Sequence, residues 1–152
     1  MTRTPSTRRV VTGLDAEGKS CVLIDGPART YGETGGFVWR TASHPADNSA
    51  QMDCPEAPFS FDLMQSGGSL FILHEFPVGV GEFWHATDSI EYLVMLEGEV
   101  TLELEAGEVT LAAGDCLVDR GVRHNWRNPG PQPARAAIVA LPAHPVGRGS
   151  TV

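Results

Sequence analysis

Five histidines, nineteen acidic residues and three cysteines are the side chains of this 152-residue sequence best suited to hold a metal or move a proton. His85 and Glu91 are six positions apart, and a continuous strand would separate them by roughly 20 Å, too far to share an ion. Thr87, Asp88 and Ser89 lie between them, and short oxygen-bearing side chains of this kind bond nearby backbone groups in turns. A hairpin-like bend there brings His85 and Glu91 together. His124 stands in a separate apolar run and would reach the same place from a neighbouring strand. Two imidazoles and one carboxylate leave open positions on Fe(II), Mn(II) or Zn(II), the condition for metal-centred chemistry. Composition alone does not select these three from the other histidines and acids.

The elements that must position them read as short strands. Hydrophobic residues make up 41% of the chain, and 17 glycines with 11 prolines interrupt it more often than a helical bundle tolerates. One hydrophobic core is expected at this length. Val10 to Thr12 and Ser20 to Ile24 read as a hairpin around Gly13 to Lys19, and Phe37 to Arg40 as another short strand. Ala42 to Ser60, with its prolines and turn residues, reads as a loop placed to act as a lid. From Leu70 the strands follow one another: Leu70 to Phe76, Glu91 to Leu96, Val100 to Leu104, Val109 to Leu111, Cys116 to Val118, His124 to Trp126 and Ala136 to Leu141. No segment of this half carries a 3.6-residue apolar period over three turns. The expectation is an all-β sandwich or barrel. Residues 1–9 and 144–152 read as disordered tails, 10–60 as N-terminal strands and a long loop packing on the barrel, and 61–143 as the barrel core.

A net charge of −8 excludes the basic surface that a nucleic acid partner requires. Cys21, Cys54 and Cys116 are widely spaced and odd in number, so neither a disulfide framework nor a zinc ribbon is indicated, and a reducing cytoplasm is expected. No run of about eighteen apolar residues and no export signal is present, so no membrane partner is expected either.

The stretch from Gly79 to Gly98 resembles the first cupin motif, with Gly79, His85, Glu91 and Gly98 at permitted spacings. Gly114, His124 and Asn128 resemble the second. Together they cover Gly79 to Asn128, about a third of the chain. The resemblance implies a double-stranded β-helix, or jelly-roll barrel, with the hairpin as an N-terminal extension. It also implies one divalent transition metal held by His85, Glu91 and His124, with Fe(II) first and Mn(II), Zn(II) or Ni(II) as alternatives. Two departures stand out: Thr87 occupies the place of the motif's second histidine, and Arg120-Gly121 replaces the usual residues before His124. Small proteins of this family pair as homodimers, often through N-terminal strands, so a homodimer is expected.

Strand alternation puts Leu93 and Met95 on the face of Glu91, and Trp126 on that of His124, so these three, with Thr87, are assigned to a small-molecule substrate. Asp88 reaches the ion only if its turn folds inward. Glu91 and His74 are the candidates for moving protons. Gly98, Gly107, Gly114 and Gly121 read as turn positions with positive φ. Three functional readings follow. The first is a dioxygenase-like oxidoreductase acting on a small apolar or aromatic molecule. The second is a lyase or isomerase using the same ion as a Lewis acid, separated from the first by oxygen consumption. The third is a non-catalytic binder of small ligands.

Overall fold

The structure, a computed structural model, describes residues 7–152. Residues 1–6, most of the expected N-terminal tail, lie outside the described residues. Eleven strands and one helical turn are present among the rest: β1 (Arg8–Leu14), β2 (Ser20–Pro27), β3 (Arg29–Tyr31), β4 (Gly35–Arg40), α1 (Asp62–Gln65), β5 (Leu70–Phe76), β6 (Ser89–Glu97), β7 (Glu99–Leu104), β8 (Gly107–Ala112), β9 (Cys116–Asp119), β10 (His124–Arg127) and β11 (Ala134–Pro142). A six-stranded sheet in the order β3-β4-β5-β11-β6-β9 and a three-stranded sheet in the order β10-β7-β8 form the barrel. β1 and β2 make a separate antiparallel pair.

The core follows from period-2 alternation in the six-stranded sheet. On β6, Glu91, Leu93 and Met95 are buried while Tyr92 is exposed. On β11, which runs between β5 and β6, the buried positions are Ala134, Ala136, Ile138 and Ala140. These alanines sit beside larger partners: Phe76 for Ala134, His74 and Met95 for Ala136, Leu70 and Glu91 for Ala140. Small residues on the central strand make room for bulky neighbours on both sides, which is how a layer fills without voids. Phe37, Phe76, Leu70 and Val100 complete the interior.

The connection between His85 and Glu91 explains how both reach the interior. His85 lies outside any strand and forms a single antiparallel bridge with His124, and Thr87 N–H donates to the Gly121 carbonyl at 3.3 Å. From Ser89 onward the chain leaves β10 and pairs with β9 and β11. Residues 87–89 are thus a corner between the two sheets. Gly121, with φ +72°, permits the close approach: a Cβ there would lie 2.1 Å from the Thr87 carbonyl oxygen.

Two segments differ from expectation. Arg8 and Arg9, read as tail, begin β1, and the Arg9 guanidinium is buried against Asp53 and the Val38 carbonyl. Residues 149–152, also read as tail, dock on the corner: Thr151 N–H donates to Ala86 O, Ala86 N–H to Thr151 Oγ1, and Ser150 N–H to Asp88 Oδ1. Composition predicted tails because it registers only local apolar content, whereas these residues are held by contacts distant in sequence. No helix among the described residues is long and apolar enough to cross a membrane.

Candidate metal centre

His85 and His124 face each other across their bridge, with reciprocal backbone hydrogen bonds of 3.0 and 2.9 Å. Bridged residues project to the same face of a ladder, and the two ring centroids are 4.4 Å apart. Each ring is oriented by a backbone carbonyl: Nδ1 of His85 lies 3.0 Å from Phe83 O, and Nδ1 of His124 lies 2.8 Å from Val122 O. A carbonyl can only accept, so the proton sits on Nδ1 and the lone pair on Nε2 in both rings. That is the form in which imidazole binds a metal. Burial pushes the His85 pKa down, opposed by its bond to Phe83 O, while the neighbouring His124 lowers it further and Asp119 raises it.

Glu91 is 8% exposed and projects inward from β6. Burial pushes its carboxyl up to about 7, with the charge of Asp119 adding to the rise and a hydrogen bond from Ser89 opposing it. Ser89 Oγ lies 3.3 Å from Glu91 Oε1 and 2.7 Å from Thr87 Oγ1, so a short chain of hydroxyls runs from the corner to the carboxylate. Thr87, assigned from sequence to substrate contact, is 1% exposed and committed to that chain.

Asp119 was not anticipated. It is the cross-strand partner of Glu91, is 4% exposed, and sets its Oδ2 3.3 Å from His124 Nδ1. Its Oδ1 accepts from Gly121 N–H at 2.9 Å, while Oδ2 is buried without a hydrogen-bond partner. An acid ending a short strand reads as a surface residue, and the register with Glu91 that buries it is not written in the local sequence.

The remaining expected site residues are distributed differently. Leu93 and Met95 belong to the hydrophobic core, with Trp126 packed against it. His74 does not join the two histidines: its ring stands on the edge of Phe76, which in turn touches Trp126, and Trp126 touches His124. Asn128 holds the β10–β11 turn, donating to Phe76 O and Gln132 O. Phe83 stacks on His85 at 4.7 Å and Phe61 lies 5.4 Å from the same ring. A groove of about 580 Å³ opens beside Trp126, walled by Trp84, Glu82, Glu103 and Arg127.

Among the described residues, no three His, Cys, Asp or Glu side chains are gathered closely enough to hold an ion. The expected convergence of His85, Glu91 and His124 is therefore seen as a close imidazole pair with Glu91 buried near Asp119. The donor chemistry fits a divalent cation all the same. Two Nε2 lone pairs are free of hydrogen bonds, one carboxylate oxygen is orphaned, and no Lys or Arg among the described residues pairs with Glu91 or Asp119. Buried carboxylates in such a setting require a proton or a cation.

Comparison with known proteins agrees with this fold. A family model described as a cupin domain matches residues 72–140. Phomopsin biosynthesis cluster protein C' of Diaporthe leptostromiformis is 34% identical over 95% of this chain and 82% of its own length. Cupin-domain-containing oxidoreductase fogC of Aspergillus ruber is 31% identical over 91% of this chain and 73% of its own. Oryzines biosynthesis cluster protein J of Aspergillus oryzae is 40% identical over 68% of this chain, and this chain spans 58% of it. Among solved structures, an RmlC-like cupin family protein with a double-stranded β-helix fold from Methanocaldococcus jannaschii aligns with a TM-score of 0.45 at 20% identity, over 51% of this chain and 73% of that one. The chain belongs to the cupin family.

Proposed function

We propose that this chain is a metal-dependent, dioxygenase-like oxidoreductase, in which His85, His124 and Glu91 hold one divalent transition metal, Fe(II) foremost, and which acts on a small apolar or aromatic molecule. The observation that carries the reading is the pair of buried imidazoles, each oriented through Nδ1, together with the buried carboxylates of Glu91 and Asp119, which have no Lys or Arg partner among the described residues. Relatives named as cupin-domain-containing oxidoreductases support the reaction class.

A divalent iron held there supplies the one-electron chemistry that an oxygen-dependent oxidation needs. The protein's own groups do the rest. The Phe83 and Val122 carbonyls fix the two rings, so little reorganisation is needed when the ligands engage. Burial raises the Glu91 carboxyl to about 7, so binding a cation there would displace a proton from it. Phe61 and the half-exposed Phe83 flank His85 with apolar faces that suit a flat carbon ring. The reading extends to a homodimer, supported by the exposure of Val10, Leu14 and Val22 on the β1–β2 pair.

Titration with Co(II), followed by its visible absorption, tests the ligand set. Wild type should take up one equivalent, and His85→Ala, Glu91→Ala and His124→Ala should each lose uptake. Undiminished binding by folded His124→Ala would overturn the assignment.

A further inference from the structure

Asp119 lies outside the three-residue ligand set, yet the site around it is built. Its Oδ1 is tied to Gly121 N–H at 2.9 Å, which fixes the plane of the carboxylate and leaves Oδ2 aimed at His124 Nδ1, 3.3 Å away. That oxygen is buried and makes no hydrogen bond among the described residues, so its approach to Nδ1 is an electrostatic contact. A buried carboxylate oxygen left without a donor is costly unless it performs a task. The proton that faces it is the one on Nδ1, already directed at the Val122 carbonyl at 2.8 Å.

We propose that Asp119 is a positioning residue of the metal centre: with the Val122 carbonyl it pins the His124 proton on Nδ1, so that Nε2 keeps the lone pair that meets a divalent cation. Two oxygens face one N–H, and transfer of the proton to Nε2 would break the bond to Val122 O and set the Nδ1 lone pair against the Asp119 carboxylate. Carboxylates that orient a metal-binding histidine in this way typically change metal affinity by about ten- to a hundredfold when lost. The role rests on the metal-centre reading for its purpose but not for its geometry, and the two separate experimentally.

Asp119→Asn is the informative variant. The new side chain would keep its carbonyl oxygen toward Gly121 N–H and so turn its amide N–H toward His124 Nδ1. A donor there opposes a proton on Nδ1 and favours the tautomer with the proton on Nε2. Long-range ¹H–¹⁵N spectra of the imidazoles in metal-free protein report the tautomer directly. Wild type should show His124 protonated at Nδ1, and Asp119→Asn should shift population to the Nε2–H form while Zn(II) affinity, measured by chelator competition, falls about ten- to a hundredfold. An unchanged His124 tautomer in folded Asp119→Asn would overturn the proposal, even if affinity dropped. Should that variant fail to fold, the wild-type spectrum alone decides, since an Nε2–H tautomer there refutes the role. A tautomer shift in a protein that takes up no Zn(II) would uphold the positioning of His124 and sink the metal-centre reading instead.

Discussion

Replacing Glu91 with Gln should reshape the pH dependence of stability of the metal-free protein. Glu91 lies beside Ala140 on one side and Asp119 on the other, inside the six-stranded sheet, and its carboxyl is raised from 4.5 to about 7. Between those values the folded chain holds a proton that the unfolded chain has released. This contribution is therefore full below pH 4.5, declines as pH rises toward 7, and is flat above. At about 1.4 kcal/mol per unit, the loss amounts to about 3 kcal/mol across that span. His74 and His85 act in the opposite sense: burial lowers both, so their contribution is lost as pH falls below the ordinary histidine range. The wild-type curve mixes the two trends, but the difference between wild type and Glu91→Gln cancels the histidines. Urea unfolding of chelator-treated proteins at pH 5 and pH 8 should show the variant gaining about 2 to 3 kcal/mol relative to wild type. Adding back a divalent metal at pH 8 should restore the wild-type advantage, because the ion replaces the proton. A gap that stays constant across this range would refute the burial argument for Glu91.

Other consequences can be checked with simpler measurements. Gly121→Ala places a Cβ 2.1 Å from the Thr87 carbonyl oxygen at a φ of +72°, and should cost about 3 kcal/mol or more in thermal unfolding; a loss under about 1 kcal/mol would show that the corner is more plastic than drawn. Phe83→Leu keeps apolar volume but removes the ring stacked on His85, so 2-naphthol should bind about three- to tenfold more weakly while its saturated analogue is unaffected. Equal losses for both compounds would argue against a ring-specific contact. Size-exclusion chromatography should give a homodimer for the full chain and a monomer for Val10→Lys/Val22→Lys, whose side chains are 47% and 56% exposed in the wild type; a monomer in both would remove the β1–β2 face as an interface.

Much of the barrel was legible because its strands obey period-2 alternation and end at glycines. Leu70–Phe76 agrees with its sequence pattern to the residue, and β6 through β11 to within two residues at either end. β3 and α1 escaped because three residues and a single turn carry no measurable periodicity, and α1 has no side-chain cap to announce it. In the site, the motif resemblance and not spacing pointed to His85 and His124 together, and they meet across one bridge and not through paired strands. His74 shows where alternation is insufficient: it gives the face a residue occupies, not its depth along the barrel, and Phe76 and Trp126 stand between His74 and the pair. Asp119 and the docked segment 149–152 were invisible for a related reason. Both are defined by contacts to Glu91, His124, Ala86 and Asp88 that depend on register between distant strands.

The most direct test is elemental analysis of the native, untagged protein purified without chelators. About one divalent transition-metal ion per chain, lost in His124→Ala, is the result expected from paired imidazoles backed by buried acids. A wild-type protein free of transition metal, or a folded His124→Ala that retains a full equivalent, would contradict it.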